Sequence, residues 1–282
     1  MAKTRSAAPP RPSAAATSTA AATARISFRS RKIVKTPPSK PPAAAALPPP
    51  APPAPVLPAL SAPGELAAAL RHLAAADPLL SEVIASTDAP AFTSTPSLPA
   101  FHSLARSILY QQLATSAAAA IYARFLALLP SAADGAVSPA AVLALAAADL
   151  RAIGVSGRKA AYLHDLAARF AAGDLSESSV AAMGEDALLA QLTRVKGIGE
   201  WTVHMFMIFS LHRPDVLPSG DLGVRKGVQE LYKLKALPKP EEMAALCERW
   251  RPYRSVGAWY MWRLLESKGA AAKKAKKGNA SS

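Results

Sequence analysis

The sequence predicts an all-α fold from residue 65 onward. Three observations carry that expectation: apolar residues recur at helical spacing, runs of alternating β-branched residues are absent, and Gly, Pro, Ser and Asp interrupt the chain at helix-length intervals. About ten helices over roughly 200 residues are expected, with little or no sheet.

The first element begins at Glu65, where Leu66, Leu70 and Leu73 mark one face. It ends at Asp77-Pro78, the chemistry of one helix stopping and another being capped. The segment from Thr87 to Pro99 breaks the pattern. Helical spacing resumes through Leu104 and Ile108, yields at Gln111, Gln112 and Leu113, and returns from Ala117 to Leu128. Later breaks fall at Leu129-Pro130 to Ser138, Gly154 to Gly157, Gly173 to Ser176, Gly197 to Gly199, His212 to Gly220, and Leu237 to Pro240. No repeat of 20 to 50 residues is evident. Two helix junctions are nonetheless similar, IGVSGRKAAYL (Ile153 to Leu163) and VKGIGEWTVHM (Val195 to Met205).

Composition divides the chain into a leader (1–64), a core (65–267) and a tail (268–282). The leader is built from Pro, Ala, Ser and Thr, lacks Asp and Glu, and carries nine Lys or Arg; the tail carries five lysines and no acid. Neither holds enough apolar surface to offset its ordering entropy, so both are expected to lack a fold. Together they account for the whole net charge of +14, which leaves the core balanced. A basic total suggests nucleic acid, but here that inference attaches to the ends, and any DNA site in the core must be local.

Cys247 is the one cysteine, so neither a disulfide framework nor a cysteine-held zinc or iron–sulfur site is expected. The five histidines show no i,i+4 pairing with one another, and no protein-held metal or cofactor is expected. The longest strongly apolar run, Val203 to Leu211, contains His204 and is too short to span a bilayer, so no membrane partner is expected.

The strongest local signal is LTRVKGIGEWTVHMFMIFSL, Leu192 to Leu211. One helix stops near Lys196 and another starts after Gly199. Gly197 and Gly199 permit a hairpin whose backbone N–H groups, with those of the next helix's first turn, face outward to take a phosphate directly or through a bridging cation. A plain helix–helix turn with glycine caps is the other reading. Next comes LPSGDLGVRKGVQELY, Leu217 to Tyr232, in which Asp221 opens a helix after Pro218-Ser219-Gly220. Asp221 reads as an N-cap, and also as a fixed anion able to stabilise an oxocarbenium-like transition state. Both readings can hold together.

The pairing of hairpin and downstream Asp resembles the signature of the helix-hairpin-helix DNA glycosylases. The likeness spans roughly Ala74 to Glu266 and includes FHSLARSILYQQLATSAA (Phe101 to Ala118) and ERWRPYRSVGAWYMWRLL (Glu248 to Leu265). Within that superfamily the chain is most similar to the 3-methyladenine branch found in bacteria, yeasts and plants. The resemblance implies a two-lobed fold with a central cleft for DNA and base, and excision of alkylated bases from damaged double-stranded DNA by a monomer. Asp221 is then the catalytic carboxylate.

Members with lyase activity hold a Schiff-base lysine two positions after the second hairpin glycine. This chain has Trp201 there, which implies a monofunctional enzyme that leaves an abasic site. The resemblance places Trp201, Trp262, Met205 and Tyr110 around the base pocket, Met205 standing where a bacterial relative has Tyr. For the tryptophans, ordinary core packing is the competing reading. Gln111, Gln112 and Leu113 match the loop that wedges into the stack vacated by a flipped base; the competing reading is a polar pair at a helix end. Gly197, Ile198, Gly199 and Lys196 of the hairpin, with Lys159, Arg194, Arg225 and Lys226, are candidate phosphate contacts or solvated surface charges. An oxidised-base glycosylase-lyase and a catalytically silent DNA-binding protein are the alternatives.

RSRKIVK (Arg29 to Lys35) and KKAKK (Lys273 to Lys277) suit nuclear import. The acid-free leader would also suit a plastid or mitochondrial transit peptide.

Overall fold

The computed structural model describes residues 57–94, 97–130 and 137–279. Among these, thirteen α-helices and two short 3-10 turns occur, and no strand. The expected fold class is the one observed. In order the helices are α1 (Glu65–Ala76), α2 (Pro78–Ala85), α3 (Ala100–Tyr110), α4 (Thr115–Leu128), α5 (Pro139–Ala144), α6 (Ala147–Ala152) and α7 (Gly157–Ala171). After them come α8 (Glu177–Ala182), α9 (Glu185–Leu192), α10 (Glu200–Phe209), α11 (Leu222–Leu231), α12 (Pro240–Leu246) and α13 (Arg254–Asn279).

These helices bury their apolar faces in two cores. One core gathers α3 to α10 through Phe101, Leu104, Ile108, Leu163, Leu166 and Phe206. The other joins α1 and α2 to α11, α12 and α13 through Leu73, Leu80, Val228, Trp250 and Tyr260. The chain thus starts one lobe, builds the second in full, and returns to complete the first. Phe92 and Trp262 pack against both cores and lie at the junction.

Local chemistry explains the main joints. Asp77, 1% exposed, caps α2 by accepting from the amides of Leu79 and Leu80 at 3.2 and 3.3 Å. The same carboxylate accepts from Trp250 Nε1 at 2.9 Å and from the Tyr232 hydroxyl, tying the early helices to the late ones. Pro99 offers α3 no capping side chain. Glu177, at the start of α8, supplies one by accepting from the amides of Ala100 and Phe101 at 2.5 and 3.0 Å. Where α11 crosses α13, a Cβ on Gly227 would lie 2.5 Å from Met261 Cβ, so only glycine permits that approach.

Three expectations need correction. Leu60 is 1% exposed in the second core, and its amide donates to the His212 carbonyl at 2.8 Å, so packed structure begins before residue 65. At the other end α13 continues through Lys268 to Asn279, and the boundary expected after Ser267 falls inside a helix. The helix count is higher because Leu145 and Met183 both turn to extended backbone. The first of these breaks is cut into an Ala/Leu run that carries no Gly or Pro to announce it. The leader as far as residue 56, with its RSRKIVK cluster, lies outside the described residues.

Candidate active site

The hairpin between α9 and α10 is built against α7. Gly197 has φ of 81°, and a Cβ there would lie 2.1 Å from the Tyr162 ring. Left-handed backbone and close approach therefore both demand glycine. Asp165 of α7 accepts from the Lys196 amide at 2.9 Å and from Arg169 Nε at 3.2 Å. Burial would raise its carboxyl, but these hydrogen bonds and the two cations prevail and hold it below the ordinary range. Arg169 also donates to the Arg194 carbonyl at 2.9 Å, and Gln111 Nε2 to the Gly197 carbonyl at 2.9 Å. Gly199 caps α10 without a side chain, which leaves the first-turn amides with no capping partner.

Ile198 is not part of that outward face. Its side chain is buried and its amide donates to the Val195 carbonyl at 3.1 Å, because the tight turn closes on itself. Lys159 also differs from expectation. Its ammonium donates to the carbonyls of Leu109 and Gln111, each at 2.7 Å, and burial draws it below the ordinary lysine range. The last carbonyls of α3 lack helical partners and carry the negative end of the dipole, so they attract the cation. Arg225 Nε donates to the Pro238 carbonyl at 2.8 Å. Lys196 remains largely exposed, its ammonium 3.8 Å from Asp165.

Asp221 is the N-cap of α11, as its position suggests. Oδ1 accepts from the Val224 amide at 2.8 Å and from Trp262 Nε1 at 2.9 Å; Oδ2 accepts from Trp201 Nε1 at 2.7 Å. Two of the expected pocket tryptophans thus converge on the expected carboxylate from α10 and α13. The loop before Asp221 is fixed by buried polar contacts. Arg254 Nε and Nη2 reach the Asp215 carboxylate at 2.7 and 2.9 Å. Arg213 Nη2 donates to the carbonyls of Ala181 and Met183 at 2.6 and 2.9 Å. Ser255 donates to the Arg213 carbonyl at 2.6 Å and accepts from the Val216 amide at 2.9 Å. Gly223 makes room for the Trp262 indole, whose Cδ1 would lie 2.7 Å from a Cβ.

Along α10, Trp201, Met205 and Phe209 recur at i,i+4 spacing and form one stripe. Phe209 stacks on Trp262 with centroids 5.8 Å apart. A cleft of about 370 Å³ opens where Met205 and Phe209 face Ser103, Arg106 and Ser107 of α3. Of the expected pocket residues Met205 alone lines it; Tyr110, Trp201 and Trp262 do not, nor does Asp221. The Arg106 guanidinium lies 4.4 Å above the Tyr110 ring, so Tyr110 supports the cation that does. Gln112, with φ of 55°, and Leu113, 41% exposed, project from the turn between α3 and α4.

Sequence reasoning missed Arg106, Asp165 and Gly223. For Arg106 the i,i+4 spacing to Tyr110 was a legible signal. Asp165 and Gly223 act through contacts with distant or folded-back partners, which no local pattern reveals.

Comparison with known proteins agrees with this geometry. The HhH-GPD superfamily base excision DNA repair protein family matches residues 105–252. DNA-3-methyladenine glycosylase 1 of Schizosaccharomyces pombe is 34% identical over 164 residues, 58% of this chain and 71% of that protein. YfjP of Bacillus subtilis is 31% identical over 169 residues, and the match spans 59% of this chain and 59% of that protein. The structure of the Schizosaccharomyces pombe 3-methyladenine DNA glycosylase in complex with abasic DNA superposes with a TM-score of 0.58 and 30% identity, covering 70% of this chain and 95% of that one. With its hairpin, carboxylate cap and two cores in place, this chain belongs to the HhH-GPD superfamily of base excision DNA repair proteins.

Proposed function

We propose that the protein is a monofunctional DNA glycosylase that releases alkylated bases of the 3-methyladenine type from double-stranded DNA. The observation that carries this reading is the convergence of Trp201 and Trp262 on Asp221. The relative solved with abasic DNA supports DNA as the partner.

The first-turn amides of α10 and the exposed Lys196 bind a backbone phosphate, directly or through a bridging cation. Gln112 and Leu113 fill the vacated stack while the damaged nucleotide swings into the cleft. A cationic base gains about 0.5–2 kcal/mol over an electron-rich indole face. Its glycosidic bond is already weakened by the positive charge. When the C1′–N bond breaks, the electron pair leaves with the base, which becomes neutral without a general acid. Asp221 stabilises the oxocarbenium ion left on the sugar, water adds at C1′, and the water's proton passes to the carboxylate or solvent. Because Trp201 has no amine, no Schiff base forms and the abasic strand stays intact. We further propose that the enzyme acts as a monomer in the nucleus.

The test is single-turnover release of 3-methyladenine by Asp221→Asn. The Asn keeps the cap to Val224, so stability falls by no more than about 1 kcal/mol. Excision falls roughly a hundredfold to a thousandfold, the cost of losing one preorganised electrostatic partner. Affinity for abasic DNA persists. Near-normal release by the folded variant refutes the catalytic role. A borohydride-trapped adduct of the wild type would favour the lyase alternative, and absence of any base release the silent DNA-binding one.

A further inference from the structure

We infer that Trp201 is a positioning residue for Asp221, so that stacking of a base on its indole is coupled to the orientation of the carboxylate. This rests on the reading of Asp221 as the group facing the sugar.

Trp201 is 55% exposed. Burial therefore does not explain its place; its one directed polar contact is the 2.7 Å bond from Nε1 to Asp221 Oδ2. The other oxygen is already pinned, since Oδ1 takes both the Val224 amide and Trp262 Nε1. The terminal torsion of Asp is broad and roughly two-fold, so the plane of the group is set by these contacts rather than by any preference of its own. Trp201 supplies the one of the three that reaches Oδ2.

The two tryptophans differ in freedom. Trp262 is wedged over Gly223, stacked on Phe209 and packed against both cores. Trp201 stands at the first turn of α10 beside the hairpin, more than half exposed, and its indole has two faces on which a base could stack. A base lying on one of those faces immobilises the same ring whose N–H holds Oδ2. A lesion that stacks well therefore meets a carboxylate already aimed, and one that stacks poorly meets a carboxylate free to turn. Discrimination by Trp201 appears in the maximal rate of bond cleavage rather than in binding.

The experiment uses the full chain as wild type, Trp201→Phe, Asp221→Asn and the double variant. Single-turnover excision from a duplex carrying 3-methyladenine is measured across enzyme concentration, with thermal melting and abasic-DNA affinity alongside. Phe keeps an aromatic face but lacks the N–H, and because the residue lies on the surface the variant should melt like the wild type. The expected result is a maximal rate about tenfold lower with half-saturation changed less than threefold, and no further loss when Trp201→Phe is added to Asp221→Asn. A change confined to half-saturation would overturn the proposal and leave Trp201 a stacking platform. An equal loss of rate in the Asp221→Asn background would also overturn it, since Trp201 would then act independently of the carboxylate. Near-normal excision by Asp221→Asn alone signals a different failure, that of the catalytic reading itself, and removes the premise.

Discussion

Asp221 is a helix cap, and under the proposed function the same residue is the reactive carboxylate. A cap needs an acceptor fixed against backbone N–H groups, and a transition-state stabiliser needs an anion that cannot reorganise when charge develops. The Val224 amide and the two indoles meet both needs. Gly223 is the hidden condition, because a Cβ there would lie 2.7 Å from Trp262 Cδ1 and 3.0 Å from Asp221 Oδ1. Gly223→Ala is expected to displace the Trp262 indole and lower excision at least tenfold, with a stability cost of about 1–3 kcal/mol from overpacking. Excision kinetics beside thermal melting check this; unchanged kinetics would mean that Trp262 does not hold the carboxylate. The cleft has its own lesson at this scale. Burial and the Arg106 charge both hold His102 below the ordinary imidazole range, and its Nε2 pairs with the Tyr122 hydroxyl at 2.5 Å. Arg106 itself faces the cleft from α3.

Among elements, the junction of α3, α7 and the hairpin matters most. Gln111 leaves the end of α3 to reach the Gly197 carbonyl, and Lys159 leaves α7 to hold the carbonyls of Leu109 and Gln111. The turn after α3 and the hairpin are thereby joined. Lys159→Met keeps the stem and removes the ammonium, and should cost about 1–2 kcal/mol for two charge-assisted bonds at a half-buried site. If those carbonyls are its whole role, the slope of DNA affinity against salt should not change. A direct phosphate contact would instead lower that slope by about one. Salt titration of abasic-DNA binding, compared with urea melting, separates the two roles.

For the molecule as a whole, two lobes are joined by a chain that leaves one and returns to it, and Asp77 ties that return. Burial would raise its carboxyl, but hydrogen bonds from Tyr232, Trp250 and the Leu80 amide hold it below the ordinary range. Its contribution is therefore complete above the unfolded value, about pH 4, and is lost as pH falls through the lower folded value. Asp77→Asn should lose about 2–3 kcal/mol at neutral pH and show a flatter fall in stability below about pH 4, as read by urea unfolding across pH. Charge is also distributed at this scale. The leader and tail carry the whole net excess of +14, so a chain trimmed to residues 57–269 should bind undamaged DNA with a shallower salt dependence than the full chain. Equal slopes would place the non-specific contacts in the core instead. Trimming must spare Leu60, which is buried.

What the sequence determined by itself lies in local chemistry. Helical periodicity, the Gly197 and Gly199 turn, the Asp221 cap and the Trp201 position are all set by residues within a turn or two of one another, and each is found where its pattern indicates. Only the tertiary structure decided how distant residues share groups. Lys159 and the Ile198 amide are candidate phosphate contacts by pattern, but the lysine is taken by the carbonyls at the end of α3 and the amide by the Val195 carbonyl of its own turn. Tyr110 packs under the Arg106 guanidinium, and it is Arg106 that lines the cleft. The bond between Trp201 and Asp221 spans 20 positions and that between Trp262 and Asp221 spans 41. Hydrogen bonds and steric fit of that kind depend on how helices cross, and the crossing is fixed by close packing of both cores rather than by any segment's own preference.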